Sequence, residues 1–366
     1  VARPAIASGA AFDYEWADGA GPRVAISHPA SRGVSMAKPK VVVARMTPGL
    51  EESDIWKQCD VWAWEEDRIV PPELLREKAA EADGLFVTSF DPVDKALLEA
   101  APRLRVVSNY AVGVDNIDLP TCTALGIPAG NTPGVVTEAT ADMAFALMLS
   151  LSRRIKEADA FVKAKQWKTW SPYLMISNDV YGKTLGIVGM GRIGQAIARR
   201  AVGFEMKLLY HTRNRRPEAE EKYGCRHVSY EELLRESDII VTIVPLTDAT
   251  HHMVNDAAFA QMKESAIVIN VARGGVVDPH ALYRALSAKR IRGAALDVTE
   301  PEPIGADDPL LTCDNLLIAP HVATGTWETR RMMTDLAVRN LLAGLNGQPL
   351  VHYANPDVKG KERKPA

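Results

Sequence analysis

Cysteine is scarce. Only four stand among 366 residues, Cys59, Cys122, Cys225 and Cys313, and no two share the spacing of a metal knuckle or a redox pair. That excludes a disulfide-stapled scaffold and a cysteine-based metal site, and it fits reduced thiols in a reducing, cytoplasmic setting. A membrane-length run is also missing. The longest apolar stretch, 143–151, falls well short of the ~20 residues that a spanning helix needs. Neither charge dominates: with 43 Lys and Arg against 46 Asp and Glu, the net charge of -3 leaves no footprint for nucleic acid. The locally basic end (Lys359, Lys361, Arg363, Lys364) is expected to be a solvated tail spanning 354–366. Residues 1–36 lack periodicity and the apolar core of a secretory signal, and Asp13, Glu15 and Asp18 count against an organelle transit peptide. An extension without fixed structure is expected there, with 36–40 looking like a natural chain start. No metal ligand set is expected anywhere.

What the chain does have is length for two domains and, from Lys40 onward, short apolar strands alternating with helices. That alternation is the signature of parallel sheets covered on both faces. Strands are expected at 41–46, 85–88 and 104–108, with helices at 73–80 and 95–100, the first opened by Pro71 and Pro72. This unit has no glycine phosphate loop, which marks it as the substrate domain. A single long helix is expected from Thr137 towards Lys165, apolar nearly all round through Leu151 and therefore buried between domains or subunits. Strands at 206–210, 239–244, 266–271, 294–298 and 316–319 suit a second, doubly wound sheet. A helix at 328–345 is expected to return to the first domain. The division is thus 37–136 with 325–353 for substrate and 137–324 for cofactor.

The second unit opens on Thr184-Leu-Gly-Ile-Val-Gly-Met-Gly-Arg-Ile-Gly194. An apolar strand runs into Gly189, Gly191 and Gly194, spaced G-x-G-x-x-G, and Ile193, Ala196, Ile197 and Ala201 continue at helical spacing. In that order the three glycines make a tight turn, admit a pyrophosphate and let helix and strand pack, with the phosphates at the helix N-terminus. A dinucleotide is expected. An NAD-preferring site would carry a carboxylate about 20 residues further on, and none stands in His211-Thr-Arg-Asn-Arg-Arg216. Thr212, Arg213 and Arg216 suit a 2′-phosphate, which an arginine fork meets with paired hydrogen bonds. NADPH is the expected cofactor and NADH the alternative; a basic turn facing water is the competing explanation of Arg215 and Arg216.

Ligands of open parallel sheets bind beyond the carboxyl ends of the strands. Three polar residues fall there: Arg273, Glu302 and His321. Singly they read as a surface arginine, a helix-start glutamate and a core histidine; together they suit one site.

These residues sit in a series of motifs: Ala111-Val-Gly-Val-Asp115, Asn131-Thr-Pro-Gly134, the glycine loop, Val244-Pro-Leu-Thr247, Asn270-Val-Ala-Arg-Gly274, Leu296-Asp-Val-Thr-Glu-Pro-Glu-Pro303 and Pro320-His321. The series resembles the D-isomer-specific 2-hydroxyacid dehydrogenases, and among them the glyoxylate/hydroxypyruvate reductases, over about 39–351. The resemblance implies an α/β fold of two flavodoxin/Rossmann-like domains with parallel sheets, the first discontinuous, paired as a homodimer. It implies NADPH-dependent reduction of a small 2-oxo acid, with no nucleic-acid or membrane partner. Arg273 would hold the substrate carboxylate and polarise the ketone, His321 would donate the proton, and Glu302 would orient it. Val112 and Gly113 would bind the substrate carboxylate through their N–H groups, and Trp170 from a partner subunit, or failing it Trp167, would close the pocket. Asp297 would meet the nicotinamide amide, and Arg192, Ile193, Val244, Pro245, Thr247, Val271 and Ala272 would complete the cofactor contacts. Asp142 and Thr324 depart from the family pattern without removing a catalytic group. A bulkier 2-oxo acid or 3-phosphoglycerate as substrate is the alternative within the family, and a dinucleotide-binding co-repressor the alternative outside it.

Overall fold

The computed structural model describes residues 38–363, and the expected N-terminal extension lies outside them. The first sheet holds β1 (Lys40–Val43), β2 (Asp60–Ala63), β3 (Gly84–Thr88), β4 (Val106–Tyr110) and β5 (Ala129–Gly130) in the order β2-β1-β3-β4-β5, every pair parallel. That is the flavodoxin order. Strand β3 is buried at all five positions because helices cover both faces of the sheet, and its unbroken apolar run meets that requirement. Helices α1 (Ile55–Gln58), α2 (Pro72–Ala79), α3 (Lys95–Ala100) and α4 (Leu119–Ala124) make the crossovers. Local chemistry starts them: Pro72 opens α2, whereas Asp94 and Asp118 accept from Leu97 N and Thr121 N at the heads of α3 and α4. Four of these elements, β2, β5, α1 and α4, were not expected.

Where one long helix was expected, two occur: α5 (Thr137–Ser152) and α6 (Ile155–Lys163). The break comes from Arg154, which is left-handed at φ 54°, with its guanidinium paired to Glu157. Nor does α5 lie between domains. Its Phe145, Leu147 and Met148 join the core of the second sheet with Ile187 and Ile197. That sheet contains β6 (Thr184–Val188), β7 (Lys207–His211), β8 (Arg226–His227), β9 (Ile239–Thr242), β10 (Ile267–Asn270), β11 (Gly293–Leu296) and β12 (Leu316–Ile318). Between them run α7 (Arg192–Val202), α8 (Pro217–Tyr223), α9 (Tyr230–Glu236), α10 (Asp256–Gln261) and α11 (Pro279–Ser287). The strand order β12-β11-β10-β9-β6-β7-β8 is the Rossmann order with one strand added, and β6 lies between β7 and β9 at its switch point. No described helix is long and apolar enough to cross a membrane.

The last helix, α12 (Trp327–Leu345), lies on the first sheet against β3 and β4, and its Ala337, Val338, Leu341 and Leu345 share a core with Val41, Val43, Phe86 and Val106. The chain beyond it corrects one expectation. Through Arg363 the supposed solvated tail is docked. Asn355, 5% exposed, accepts from Ala129 N at 2.8 Å and donates to Ile127 O at 3.0 Å. Val358 is fully buried, and Arg363 donates to the carbonyls of Ala101, Pro102 and Leu104, which end the α3 segment. All three contacts come from Nη1, whose two hydrogens they share, the shortest being 2.7 Å to Pro102 O. The four cysteines are free, and burial pushes the Cys122 thiol up to about 12, so it is silent as a nucleophile.

Asn355→Ala removes the partners of two buried backbone groups, a loss of about 1–3 kcal/mol per unsatisfied group. Chemical denaturation is expected to show lower stability for this variant; an unchanged midpoint would show that the terminal segment contributes nothing to the fold.

Candidate active site

The glycine loop behaves as its spacing requires. Gly189 leaves β6 at φ 108°, and a Cβ there would stand 2.4 Å from Ile243 O. A Cβ on Gly194 would meet Gly189 O at 2.1 Å, so only hydrogen lets α7 pack on the turn, whereas Gly191 faces open space. No side chain caps α7, and its first-turn N–H groups point outward at the positive end of the helix. Helices α9, α10, α11 and α12 each carry a capping side chain instead, from Ser229, Asn255, Asp278 and Thr326. An open approach beside an uncapped helix start fits a dinucleotide pyrophosphate. Exposed Arg192 and half-buried Ile193 begin that helix, and Val244, Pro245 and Thr247 lie across the switch point after β9. Val271 and Ala272 are buried after β10.

Beyond β7 the three arginines separate. Arg215 grips both oxygens of Glu220 at 2.8 and 2.6 Å, and Tyr210 donates to the same carboxylate at 2.6 Å while accepting from Arg216 N at 2.8 Å. The Arg215 guanidinium, aided by the Tyr210 hydroxyl, holds Glu220 down at about 2; burial, with Glu220 beside it, lifts Tyr210 to about 12. Arg213 and Arg216 are exposed and make no ion pair among the described residues. Thr212 turns its carbonyl to His227.

His321 follows β12 with a left-handed φ of 53°. Such a backbone is strained for a residue with a side chain and persists only where it is tied. Asp297, at the end of β11, ties it. Its carbonyl accepts from His321 N at 2.8 Å, and its two carboxylate oxygens accept from Val322 N and Ala323 N at 2.8 and 2.9 Å. Asp297 is 1% exposed, and burial raises its pKa against the pull of those N–H donors. The turn delivers His321 Nδ1 to Glu302 Oε1 at 2.5 Å, and Nε2 has no protein partner among the described residues. Phe90, from the first domain, packs edge-to-face with the His321 ring, the two centroids 5.8 Å apart.

Arg273 leaves β10 on a turn held by buried Asn270, which accepts from Ala272 N and donates to Arg273 O. Its Nε contacts both oxygens of Asp115 at 3.2 and 3.3 Å, and Nη1 donates to Ala272 O at 2.9 Å. The guanidinium presses on the first domain: a Cβ on Gly113 would lie 1.8 Å from Nη2. Asn109 donates to Gly113 O and Asn131 to Val112 O, each at 2.9 Å or less. Those bonds fix the loop, while the Val112 and Gly113 N–H groups donate to no described acceptor. Arg273 has no hydrogen bond to His321 or Glu302, and Trp170, 77% exposed on the segment after α6, has none to any of the three. Phe90, Asn109, Asn131, Asn270 and the anchoring duty of Asp115 were not expected, although all but Phe90 lie in or beside the motifs.

Comparison with known proteins points the same way. Residues 145–323 match the family described as D-isomer specific 2-hydroxyacid dehydrogenase, NAD binding domain. The chain is 45% identical over 322 residues to a glyoxylate reductase of Korarchaeum cryptofilum, covering 88% of this chain and 97% of that protein. It is 46% identical over 325 residues to a glyoxylate reductase of Thermococcus litoralis, covering 88% and 98%. Among solved structures, the TT0316 protein of Thermus thermophilus superposes with a TM-score of 0.81 at 39% identity over 86% of this chain and 99% of that one. An NADPH-dependent glyoxylate/hydroxypyruvate reductase of Sinorhizobium meliloti, in complex with NADP and malonate, gives 0.78 at 31% over 90% and 100%. With its two parallel sheets, glycine loop and Glu302–His321 pair, the chain belongs to the D-isomer-specific 2-hydroxyacid dehydrogenases, nicotinamide-dependent oxidoreductases.

Proposed function

We propose that this protein reduces glyoxylate and hydroxypyruvate to glycolate and D-glycerate, with NADPH preferred over NADH. The observation that carries the reading is the 2.5 Å contact between His321 Nδ1 and Glu302, which leaves Nε2 without a described protein partner just past the end of β12. When bound, the reduced nicotinamide supplies the hydride. The chain supplies the rest. The free N–H groups of Val112 and Gly113, with Arg273 Nη2, take the substrate carboxylate, and Arg273 polarises the ketone; charge-assisted contacts of this kind contribute about 1.5–3 kcal/mol each. His321 Nε2 gives its proton to the carbonyl oxygen, and Glu302, through its contact with Nδ1, holds the ring in place. Asp297 keeps lone pairs beyond its two backbone bonds for the nicotinamide amide. Phe90 against His321 narrows the pocket and favours small 2-oxo acids over bulkier ones.

The NADPH preference rests on unpaired Arg213 and Arg216 beside Thr212, while Glu220, the carboxylate bonded to the end of β7 through Tyr210, is held by Arg215 as well. The relative solved with NADP supports the same cofactor. A homodimer is part of the reading. Ile155, Val162, Trp167, Trp170, Tyr173 and Ile176 are all exposed along α6 and the segment after it, a concentration of apolar surface that suits a second copy of this chain. In that dimer Trp170 would reach the pocket of the partner subunit.

His321→Ala is expected to lower kcat for glyoxylate by about 10²- to 10⁴-fold while the NADPH dissociation constant stays within about twofold. Stopped-flow reduction with fluorescence titration of NADPH measures both, and loss of NADPH affinity would remove His321 from the acid role. Gly113→Ala puts a methyl group where Arg273 Nη2 stands. It is expected to raise KM for glyoxylate at least about tenfold, again with NADPH binding retained; an unchanged KM would place the carboxylate elsewhere.

A further inference from the structure

Outside the grouping of Arg273, Glu302 and His321, the structure gathers two histidines and a carboxylate that the reaction does not use. His251 and His252 follow β9, and Glu300 stands two residues before Glu302. One ligand atom from each, all three together, lie within 4.8 Å of one another. His252 Nε2 is 2.5 Å from one oxygen of Glu300, and His251 Nε2 is 3.5 Å from the other. Consecutive residues of an extended chain point to opposite sides, so two adjacent histidines on one carboxylate need a backbone cause. The left-handed φ of 49° at His252 supplies it, and the two rings stack with centroids 3.8 Å apart. The turn is fixed from behind, because His251 N donates to Thr247 O at 2.8 Å and His252 N to Gly275 O at 2.7 Å.

We propose that His251, His252 and Glu300 form a binding site for a divalent transition-metal ion of the zinc type. Two imidazoles and a carboxylate suit zinc, cobalt, nickel or copper, whereas magnesium and calcium prefer oxygen shells. Bonds of about 2.0–2.2 Å in a tetrahedral shell set donors about 3.4 Å apart. The His251–Glu300 spacing of 3.5 Å already meets that, and the His252–Glu300 contact widens by about 1 Å when a metal ion enters between them. The side chains are 50%, 33% and 37% exposed, so the ion enters from solvent and water completes its shell. The 48-position separation of His252 and Glu300 hides the set from any short spacing rule, which is why the sequence showed no ligand pattern.

The test is titration of metal-stripped, untagged full-length protein with Zn²⁺ by calorimetry and with Co²⁺ by its visible absorption. One equivalent is expected to bind. His251→Ala, His252→Ala and Glu300→Gln are each expected to weaken it at least about tenfold, while a change at exposed His280, His280→Ala, leaves it unaltered. Melting curves separate the site from the fold: Zn²⁺ raises the melting temperature of the parent and of His280→Ala, and leaves that of the folded site variants unmoved. A hydrogen-bonded clasp without metal affinity would show no binding at about 100 μM Zn²⁺. That result, or undiminished binding in folded His251→Ala and His252→Ala, overturns the proposal.

Discussion

The carboxylate of Asp297 holds the turn on which the reacting end of this protein depends. It sits buried at the end of β11 and accepts the N–H groups of Val322 and Ala323, while the carbonyl of the same residue accepts that of His321. Three bonds from one residue keep His321 in a left-handed conformation that costs of order 1–3 kcal/mol when adopted by a residue with a side chain. Released from them, the backbone would relax and the ring would leave Glu302. A buried carboxylate is itself unfavourable unless it is bonded, so carboxylate and turn stabilise each other. Placing the histidine is therefore a property of two neighbouring strand ends, β11 and β12, and not of the histidine alone.

The facing half of the site follows the same pattern with different chemistry. Asn109 and Asn131 draw back the carbonyls of Gly113 and Val112, which turns two N–H groups free, and Asp115 and Asn270 fix the arginine and its turn. Each group that would touch substrate is held by a second polar group that does not. On the cofactor side, Glu220 ties Arg215 and Tyr210 together and so selects which of three arginines remain available. Preorganisation of this sort leaves little to reorder when ligands arrive.

Much of this was legible in the sequence because the relevant signals are local. Apolar runs between turns located β9, β10, β11 and β12 to within two residues, and the glycine spacing located the phosphate loop. Other features were hidden for physical reasons. Strand β2 is a four-residue edge strand with an exposed Asp60 and half-buried Val61, Trp62 and Ala63, so its short apolar run follows α1 without a glycine or proline to set it off. The break before α6 arises at an arginine, with neither glycine nor proline to announce it. The docking of the last residues relies on Asn355 and Arg363 bonding main chain more than 200 positions away, and the duty of Asp115 appears only when Arg273, 158 residues later, comes to meet it. Side-chain types at Arg213, Arg215 and Arg216 are identical, and only the fold shows that one of them is engaged.

The most direct measurement is kcat/KM for glyoxylate and hydroxypyruvate with NADPH and with NADH, side by side at one pH. The account predicts turnover of both acids and a higher value with NADPH, since Arg213 and Arg216 are free for the 2′-phosphate. Turnover with NADH alone would contradict the assignment of those arginines, and no turnover of either acid with either cofactor would contradict the small-acid pocket built from Phe90, Gly113, Arg273 and His321.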